Sequence, residues 1–460
     1  MPKTSTVALN GSPENHPAHR KPSARLALWP LVIATFFMVS GGTYGTEDIV
    51  HGAGYGRAIL ILLLTPVIWS LPTALMIGEL SSALPEEGGY YAWVRRAMGN
   101  FWGFQEAWLS LAASVFDMAI YPTLFILYLT QLLPWFGIGC RGQIVAVAVV
   151  AACAILNIAG IRVVATTSLW LFFLLSAPFA IITVLALFHA GSLAGAVTKP
   201  ALVHVDLFGG LLVAMWNYMG WDNASTIAAE VDRPQRTYPR AMFAAVALVA
   251  ASYILPIAAM SVTHLSPAAW ETGSWAEIAG LLGGPLLRVW LVLGGMMSAF
   301  GMFNALVLSY SRLPYAMAQD GLLPGVFARL NRRNVPWVSV VVLAVGWALC
   351  LGLGFERLVT LDILVYGASL LLEFVALVVL RFREPNLPRP FKVPGGIVGV
   401  VLVGLAPMLL LAFSLFRGDH EQILGMSSVQ MGVLLVLAGF AAYALDAALH
   451  RWPGRSASDR

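Results

Sequence analysis

Charge is scarce in this chain. Lys, Arg, Asp and Glu make up 11% of its 460 residues, while apolar types make up 59%. That balance excludes a soluble globular protein and points to an all-α integral membrane protein with many spans. Cysteine is also sparse. Cys140, Cys153 and Cys350 lie far apart, with no metal-ligand spacing and no disulfide framework, so they read as small apolar side chains. There is no Gly-rich phosphate loop, hence no evident ATP-driven motor. His-Glu-x-x-His and Cys-x-x-Cys patterns are missing, the eight histidines are scattered, and no nucleophile–base set stands out. No enzyme activity, cofactor, metal site or nucleic-acid partner is expected.

What the chain does have is long apolar runs. They continue for about 17–25 residues, the length a membrane-crossing helix needs, without the alternation of a transmembrane barrel strand. Twelve helices are expected, at roughly 26–50, 56–82, 101–132, 143–159, 163–189, 207–231, 240–263, 285–318, 338–353, 358–380, 396–416 and 428–449. Residues 1–25, polar and bearing Pro13, Pro17 and Pro22, read as a disordered tail, and 451–460 as a second tail. The run after residue 25 has no small-residue cleavage pattern and is too long for a signal peptide, so it is taken as the first span. Gly88 to Gly99 is amphipathic and carries Arg95 and Arg96, as a short interfacial helix does. Residues 266–281 read as a polar, Trp-containing outer loop.

Basic residues set the orientation. Of the 27 Lys and Arg, 21 fall on one side of the twelve-span arrangement and six on the other. The basic side faces the cytoplasm, which places both termini there, in the cytoplasmic membrane.

Two runs are interrupted near their middles. The first carries Gly41-Gly42-Thr43-Tyr44-Gly45, and the sixth carries Trp216-Asn217-Tyr218-Met219-Gly220-Trp221-Asp222. Each break falls about 15–22 Å into its span at 1.5 Å per residue, close to the midplane. The first and sixth helices run antiparallel. Paired broken helices in two inverted halves are the best sequence pointer to a secondary transporter's site. The halves would be helices one to five (26–189) and six to ten (207–380), with two extra helices over 396–449. The plainer alternative for either break is a kink or a glycine contact that lets helices approach closely.

A carboxylate at the bilayer centre costs about 2.5–3.5 kcal/mol on insertion scales, so the deep acids need a purpose. Asp117 and Asp222 are two such acids and Glu373 is a possible third. They can serve as counter-charges for a cationic substrate, as proton carriers, or as hydrogen-bonded structural acids. Glu47 sits with Asp48 just outside the first break, as a candidate proton or gating group or an ordinary acid at a helix N-terminus. The substrate-binding candidates are Gly41, Gly42, Thr43, Tyr44, Gly45, Asp117, Trp216, Asn217, Tyr218, Met219, Gly220 and Asp222. Backbone N–H and C=O groups freed at the breaks can bind a carboxylate and an ammonium, the two ends of an amino acid. Trp216 and Tyr44 can cover an ammonium by cation–π attraction. Asn217, Ser298 and Asn304 can bond a ligand, although interhelical bonds are their commoner use. Glu79 and Glu230 share the basic side with Arg95, Arg96, Arg233, Arg236 and Arg240, where inner-gate ion pairs are one reading and solvated pairs of little energetic value are the default expectation.

Several stretches resemble the amino acid–polyamine–organocation superfamily of transporters. Glu79-Leu80-Ser81-Ser82-Ala83-Leu84-Pro85 with Gly88-Gly89-Tyr90-Tyr91-Ala92-Trp93 is similar to its second-helix signature. Residues Glu230 to Ala241 resemble the segment after its sixth helix, and Ser311 to Pro324 its motif after the eighth. The resemblance implies a five-plus-five inverted repeat with binding between helices one, three, six, eight and ten. Gly41 to Asp48, Phe101 to Glu106 and Asp117 to Pro122 resemble the polyamine-uptake branch. The eighth helix has Leu306 and Tyr310 where that branch tends to carry acids, and the fifth has no Lys of the kind the cationic amino-acid permeases use for coupling.

The expected activity is secondary active transport of an amino acid or organic amine by alternating access, proton-linked or as an exchanger. Polyamine uptake is the alternative. A channel would need a continuous polar pore, and the sequence has isolated acids instead. An amine sensor would need a soluble output module that no internal loop is long enough to supply.

Overall fold

The computed structural model describes residues 26–195, 206–349, 351, 355–417, 422–423 and 426–450. Both expected tails and Cys350 lie outside the described residues. A helix covers each of the twelve expected segments. Their order is α1 (Leu28–Val39), α2 (Glu47–Thr65), a π-helical turn (Pro66–Ser70), α3 (Leu71–Ala83), α4 (Tyr90–Met98), α5 (Asn100–Leu132), α6 (Arg141–Ile158) and α7 (Ile161–Phe188). Then come α8 (Leu207–Asn217), a 3-10 run (Trp221–Glu230), α9 (Pro234–Ser261), α10 (Trp275–Tyr310), α11 (Arg312–Gln319), α12 (Trp337–Leu349), α13 (Phe355–Arg383), α14 (Gly396–Arg417) and α15 (Ser428–His450). The strand structure among the described residues is one two-residue pair, Gln422–Ile423 against Met426–Ser427. Among the described residues, eight helical runs are long and apolar enough to cross a membrane, and Leu28–Val39, Trp337–Leu349 and Gln430–Leu445 are shorter apolar helices.

Polarity inverts around this bundle, as it must in a membrane protein. Large apolar side chains such as Trp170, Phe173, Phe188, Leu286, Leu349 and Val398 are exposed on the outside. Acids, serines and threonines are buried with the inner aromatic residues. The chain is a multi-pass membrane protein. Its inner column is α5, which packs along both α13 and α10, and α10 packs in turn along α7. Around it, α2 lies along α8, and α3 and α1 lie along α9.

Two helices bend at glycines with positive φ, α2 at Gly54 and α10 at Gly284, where Pro285 begins the new helical direction. The expected interfacial helix is α4, whose last turn carries Arg95 and Arg96. The stretch 266–281 departs from expectation. It folds into a short 3-10 turn (Pro267–Ala269) and the first turns of α10, and Trp270 and Trp275 are fully buried. Their indole N–H groups donate to Tyr55 Oη at 2.8 Å and to the Thr43 carbonyl at 3.2 Å, so this segment is a packed cover over the first break.

Candidate functional site

The site is built from the two breaks. After α1, Ser40 turns extended and its Oγ accepts a bond from the Gly42 amide at 3.0 Å. The helix resumes at Glu47, after Thr46 donates to the Thr43 carbonyl through both its amide and its Oγ1. Ser298 on α10 donates to the Gly41 carbonyl at 2.5 Å. A Cβ on Gly41 would lie 1.9 Å from Ser298 Oγ and 2.6 Å from Met302 Sδ, so only glycine lets α10 come this close. The second break is Tyr218 to Gly220. Gly220 adopts φ 88°, and a Cβ there would lie 2.7 Å from the Met38 carbonyl oxygen. The second break therefore touches the last turn of α1, and Gly220 is required both for its left-handed backbone and for that contact.

Two small chambers lie against the breaks. The inner one has room for about 10 Å³, on the order of one water, and is walled by Asp117 and Tyr121 of α5, Asp362 and Tyr366 of α13, Tyr310 and Met302 of α10, and Trp216, Met219, Gly220 and Asn223 at the second break. The outer one, also about 10 Å³, is walled by Gly41, Tyr44, Leu124, Tyr128, Asn217, Gly295 and Ser298 among others. Val39, Trp216 and Met302 line both chambers. Trp216 is thus a partition between them, and its ring lies 6.4 Å from that of Tyr121.

The inner chamber is acidic. Asp117 Oδ1 accepts from the Tyr121 hydroxyl at 2.6 Å and Oδ2 from the Tyr310 hydroxyl at 3.3 Å. Asp362 is 1% exposed, and its Oδ2 meets no hydrogen-bond partner from the protein. Among the described residues, no Lys or Arg lines either chamber. A buried carboxylate oxygen without a donor is costly unless a ligand or proton supplies one. This chamber can therefore hold an ammonium group, with aromatic rings of Trp216, Tyr121, Tyr310 and Tyr366 around it.

The expected binding residues divide among three locations. Asp117, Trp216, Met219 and Gly220 line the inner chamber, and Gly41, Tyr44 and Asn217 the outer one. Gly42 and Thr43 instead line an apolar groove between α7 and α9. Gly45 presents its carbonyl to Asn217 Nδ2 at 3.1 Å. Tyr218 donates to the Leu62 carbonyl at 3.0 Å and locks the break to α2. Asp222 stands behind the chamber wall, where its Oδ1 accepts from the Tyr366 hydroxyl. The Gly220 amide donates to that same hydroxyl at 3.2 Å. Glu373 lies deeper along α13, fully buried. Ser298 and Asn304 make interhelical bonds, Asn304 with Asn157 at 2.9 Å.

Glu47 lies beyond the chamber walled by Tyr44 and Tyr128. It is fully buried, and its Oε1 accepts from the Tyr128 hydroxyl at 2.9 Å and from the Gly273 amide at 3.1 Å, the latter in the cover segment. Tyr44 and Tyr128, in edge contact at 5.2 Å, form the wall between Glu47 and the outer chamber.

Three contributors were not anticipated: Asp362, Tyr366 and Glu106. Asp362, Tyr366, Ser369 and Glu373 recur at helical spacing on one face of α13. Glu106, Ser110, Asp117 and Tyr121 do the same on α5. That shared periodicity is the sequence signal that would have found them.

The basic face also departs from expectation. Glu79 is wholly buried, held by Arg381 through two bonds of 2.6 Å, by Arg389 at 3.2 Å and by the Val393 amide at 2.7 Å. Glu230 pairs with the buried Arg312 at 2.9 Å. These are interior pairs whose partners come from α11, α13 and the loop after it, not the solvated pairs expected with Arg95, Arg96, Arg233, Arg236 and Arg240. Arg95 pairs with Asp320, and Arg96 with Glu384 and Glu86.

The family model described as amino acid permease matches residues 32–437. Polyamine transporter RMV1 of Arabidopsis thaliana is 33% identical over 437 residues, covering 94% of this chain and 89% of the relative. Polyamine transporter PUT1 of Oryza sativa subsp. japonica is 36% identical over 422 residues, covering 90% and 78%. The serine/threonine exchanger SteT of Bacillus subtilis is 25% identical over 428 residues, covering 90% and 94%.

Proposed function

We propose that this chain, which belongs to the amino acid permease family, is a secondary transporter that carries organic amines, polyamines among them, across the cytoplasmic membrane by alternating access. The observation that carries the substrate class is Asp362: a buried carboxylate oxygen without a protein donor, on a chamber wall shared with Asp117 and free of Lys and Arg. An ammonium supplies the missing donors and balances the charge. The amino-acid reading rests on backbone groups at the breaks, but several of these are already occupied. The Gly220 amide donates to Tyr366, and the Gly41 and Gly45 carbonyls accept from Ser298 and Asn217. The polyamine transporters of two plants are also nearer in sequence than the serine/threonine exchanger.

The transport cycle follows from the closures at both ends. Glu47, Tyr128 and the cover segment shut the outer side, and Glu79 with Arg381 and Arg389 shuts the cytoplasmic side. Asp117, Trp216 and Asp362 hold the cargo between them, and Tyr44 shapes the outer chamber. The scaffold in this reading has twelve spans and two inverted halves, 26–189 and 207–380, with the extra helices 396–449 outside the core and both termini cytoplasmic. The packing supports it. The third-helix to tenth-helix contact, α5 on α13, has its counterpart in the eighth-to-fifth contact, α10 on α7, as inversion of the halves requires.

The test is uptake and counterflow of labelled putrescine, spermidine and serine in proteoliposomes. Saturable putrescine or spermidine counterflow is expected, with Asp362→Asn lowering uptake at least tenfold and leaving the protein monodisperse. Counterflow of serine alone, with neither amine bound, would establish the amino-acid reading instead.

A further inference from the structure

The groove between α7 and α9 has room for about 420 Å³, far more than either chamber. Phe172, Leu175 and Phe179 of α7 and Leu248 of α9 wall it, and its floor is the first break, at Gly42 and Thr43. Gly42 keeps that floor low: with φ 86°, a Cβ there would lie 3.0 Å from Leu175 Cδ1.

The groove offers a guest almost nothing polar. Thr43 Oγ1 donates to the Ser252 carbonyl at 2.7 Å, Thr183 Oγ1 to the Phe179 carbonyl at 2.7 Å and Ser252 Oγ to the Val249 carbonyl at 2.8 Å. These three lining hydroxyls are already spent on helix carbonyls. Among the described residues, no charged side chain lines the groove. An apolar cavity of about 150 Å³ already stays dry and takes a benzene ring. Left empty, this larger one would cost its lining the dispersion contacts of a whole side. The occupant it suits is hydrocarbon.

Its rim says where that hydrocarbon comes from. Ala180, Val184 and Leu255 line the groove and are exposed, Val184 at 52% and Leu255 at 59%. Next to them on α7, Phe173, Ile181 and Leu187 are exposed as well. The groove is therefore continuous with the apolar outer surface that a multi-pass protein turns to the bilayer. Its depth fits a chain and not a headgroup. Phe172 lies 11 residues into α7 and Leu248 lies 14 residues into α9. At 1.5 Å per residue the groove begins about 16–21 Å from the helix ends nearest the basic residues, in the middle of a hydrocarbon core about 30 Å thick. From there it runs toward the opposite face.

We propose that this groove binds the acyl chain of a bilayer phospholipid, whose headgroup stays at the face away from the basic residues while the chain end reaches the first break. The chain packs on Gly42 and Thr43 and keeps the Thr43–Ser252 bond, which ties the break to α9, out of water. Bilayer composition thereby acts directly on a broken helix. The assignment stands on the groove and on the membrane class of the chain, and it holds whatever the cargo.

The experiment uses the full chain in liposomes of phosphatidylcholine with a diazirine on its acyl chain, and photo-adducts are mapped by mass spectrometry. A lipid of the surrounding belt reaches the exposed rim alone. An adduct on Gly42 or Thr43, both buried, needs a chain inside the groove. Such adducts are expected in wild type and are expected to persist when cholesterol is added in equal amount. Ala180→Phe fills the groove from its exposed rim and is expected to lower them at least fivefold. Adducts on the exposed apolar face of α14, at Val398 and Leu402, should stay within twofold. Ala251→Phe, on the α9 wall, is the second variant should Ala180→Phe fail to fold, and the same split is expected. Wild type without adducts on Gly42 and Thr43 overturns the site. Adducts there in either folded variant equal to wild type overturn it too. Loss of the adducts to cholesterol makes a sterol the occupant and overturns the acyl-chain assignment.

Discussion

Asn217 donates through Nδ2 to the Gly45 carbonyl at 3.1 Å, so the second break holds the first directly. The same amide donates to Val213 at 2.8 Å, which ties the end of α8 into the joint. Asn217→Ala leaves the buried Gly45 carbonyl without this donor, a loss of about 1–3 kcal/mol. A lower unfolding temperature in detergent and slower transport are expected. Unchanged stability and uptake would show that the two breaks do not depend on each other through this bond.

Gly41 is the tightest helix contact in the site. Gly41→Ala is expected to abolish transport, because the new Cβ meets Ser298 Oγ at 1.9 Å and Met302 Sδ at 2.6 Å. Pairing it with Ser298→Gly removes the nearer obstacle. A double-mutant cycle should give a coupling above about 0.5 kcal/mol in thermal stability, the signature of residues in contact. Additive effects would place the cost of Gly41→Ala elsewhere.

Glu79 tests the basic-side closure. Removing one member of a buried, bonded ion pair costs about 3–5 kcal/mol, since the remaining charge has no compensation. Glu79→Ala strands Arg381 and Arg389 together. The expected result is faster modification of a cysteine placed beside Glu79, together with a lower melting temperature. Equal accessibility in variant and wild type would remove this pair from gating.

Outside the bilayer, Glu384 titrates in the opposite sense to a buried acid. The Arg96 hydrogen bond holds its carboxyl below the usual value of 4.5. A carboxylate with its folded-state value lowered adds stability above the unfolded value and loses it as pH falls through the folded one. The pair is largely solvated, so its contribution is small and weakened by salt. Melting temperatures of Glu384→Gln and wild type should differ slightly at pH 7 and low salt and converge as pH falls well below the usual value of 4.5. A gap that persists in acid would assign the effect to packing.

Much of this architecture was readable in the residues. Apolar runs marked all twelve helical segments, and the clusters Gly41 to Gly45 and Trp216 to Gly220 marked the breaks, because a helix cannot pass through such stretches in lipid without other partners. Asp117 was legible by depth alone. Asp362 was not, because its significance depends on α13 turning that face toward α5, a tertiary fact. Glu79 was misjudged for the same reason. Its partners Arg381 and Arg389 lie about 300 positions along the chain, and nothing local distinguishes a buried pair from a solvated one. Trp270 and Trp275 read as loop residues because they lie among polar neighbours, yet their indoles find acceptors over the first break.

Glu47 and Glu79 stand near the two ends of one stretch, Glu47–Ala83, that is helical on both sides of a break at Gly54. They are 32 residues apart. The break keeps the stretch from being a single rod: Glu47 sits on the short piece before Gly54, and Glu79 on the long piece after it, beyond the π-helical turn at Pro66–Ser70. Any displacement passed along this stretch from Glu47 to Glu79 has to cross two irregular points of backbone, so the two acids are fastened independently, each by its own partners.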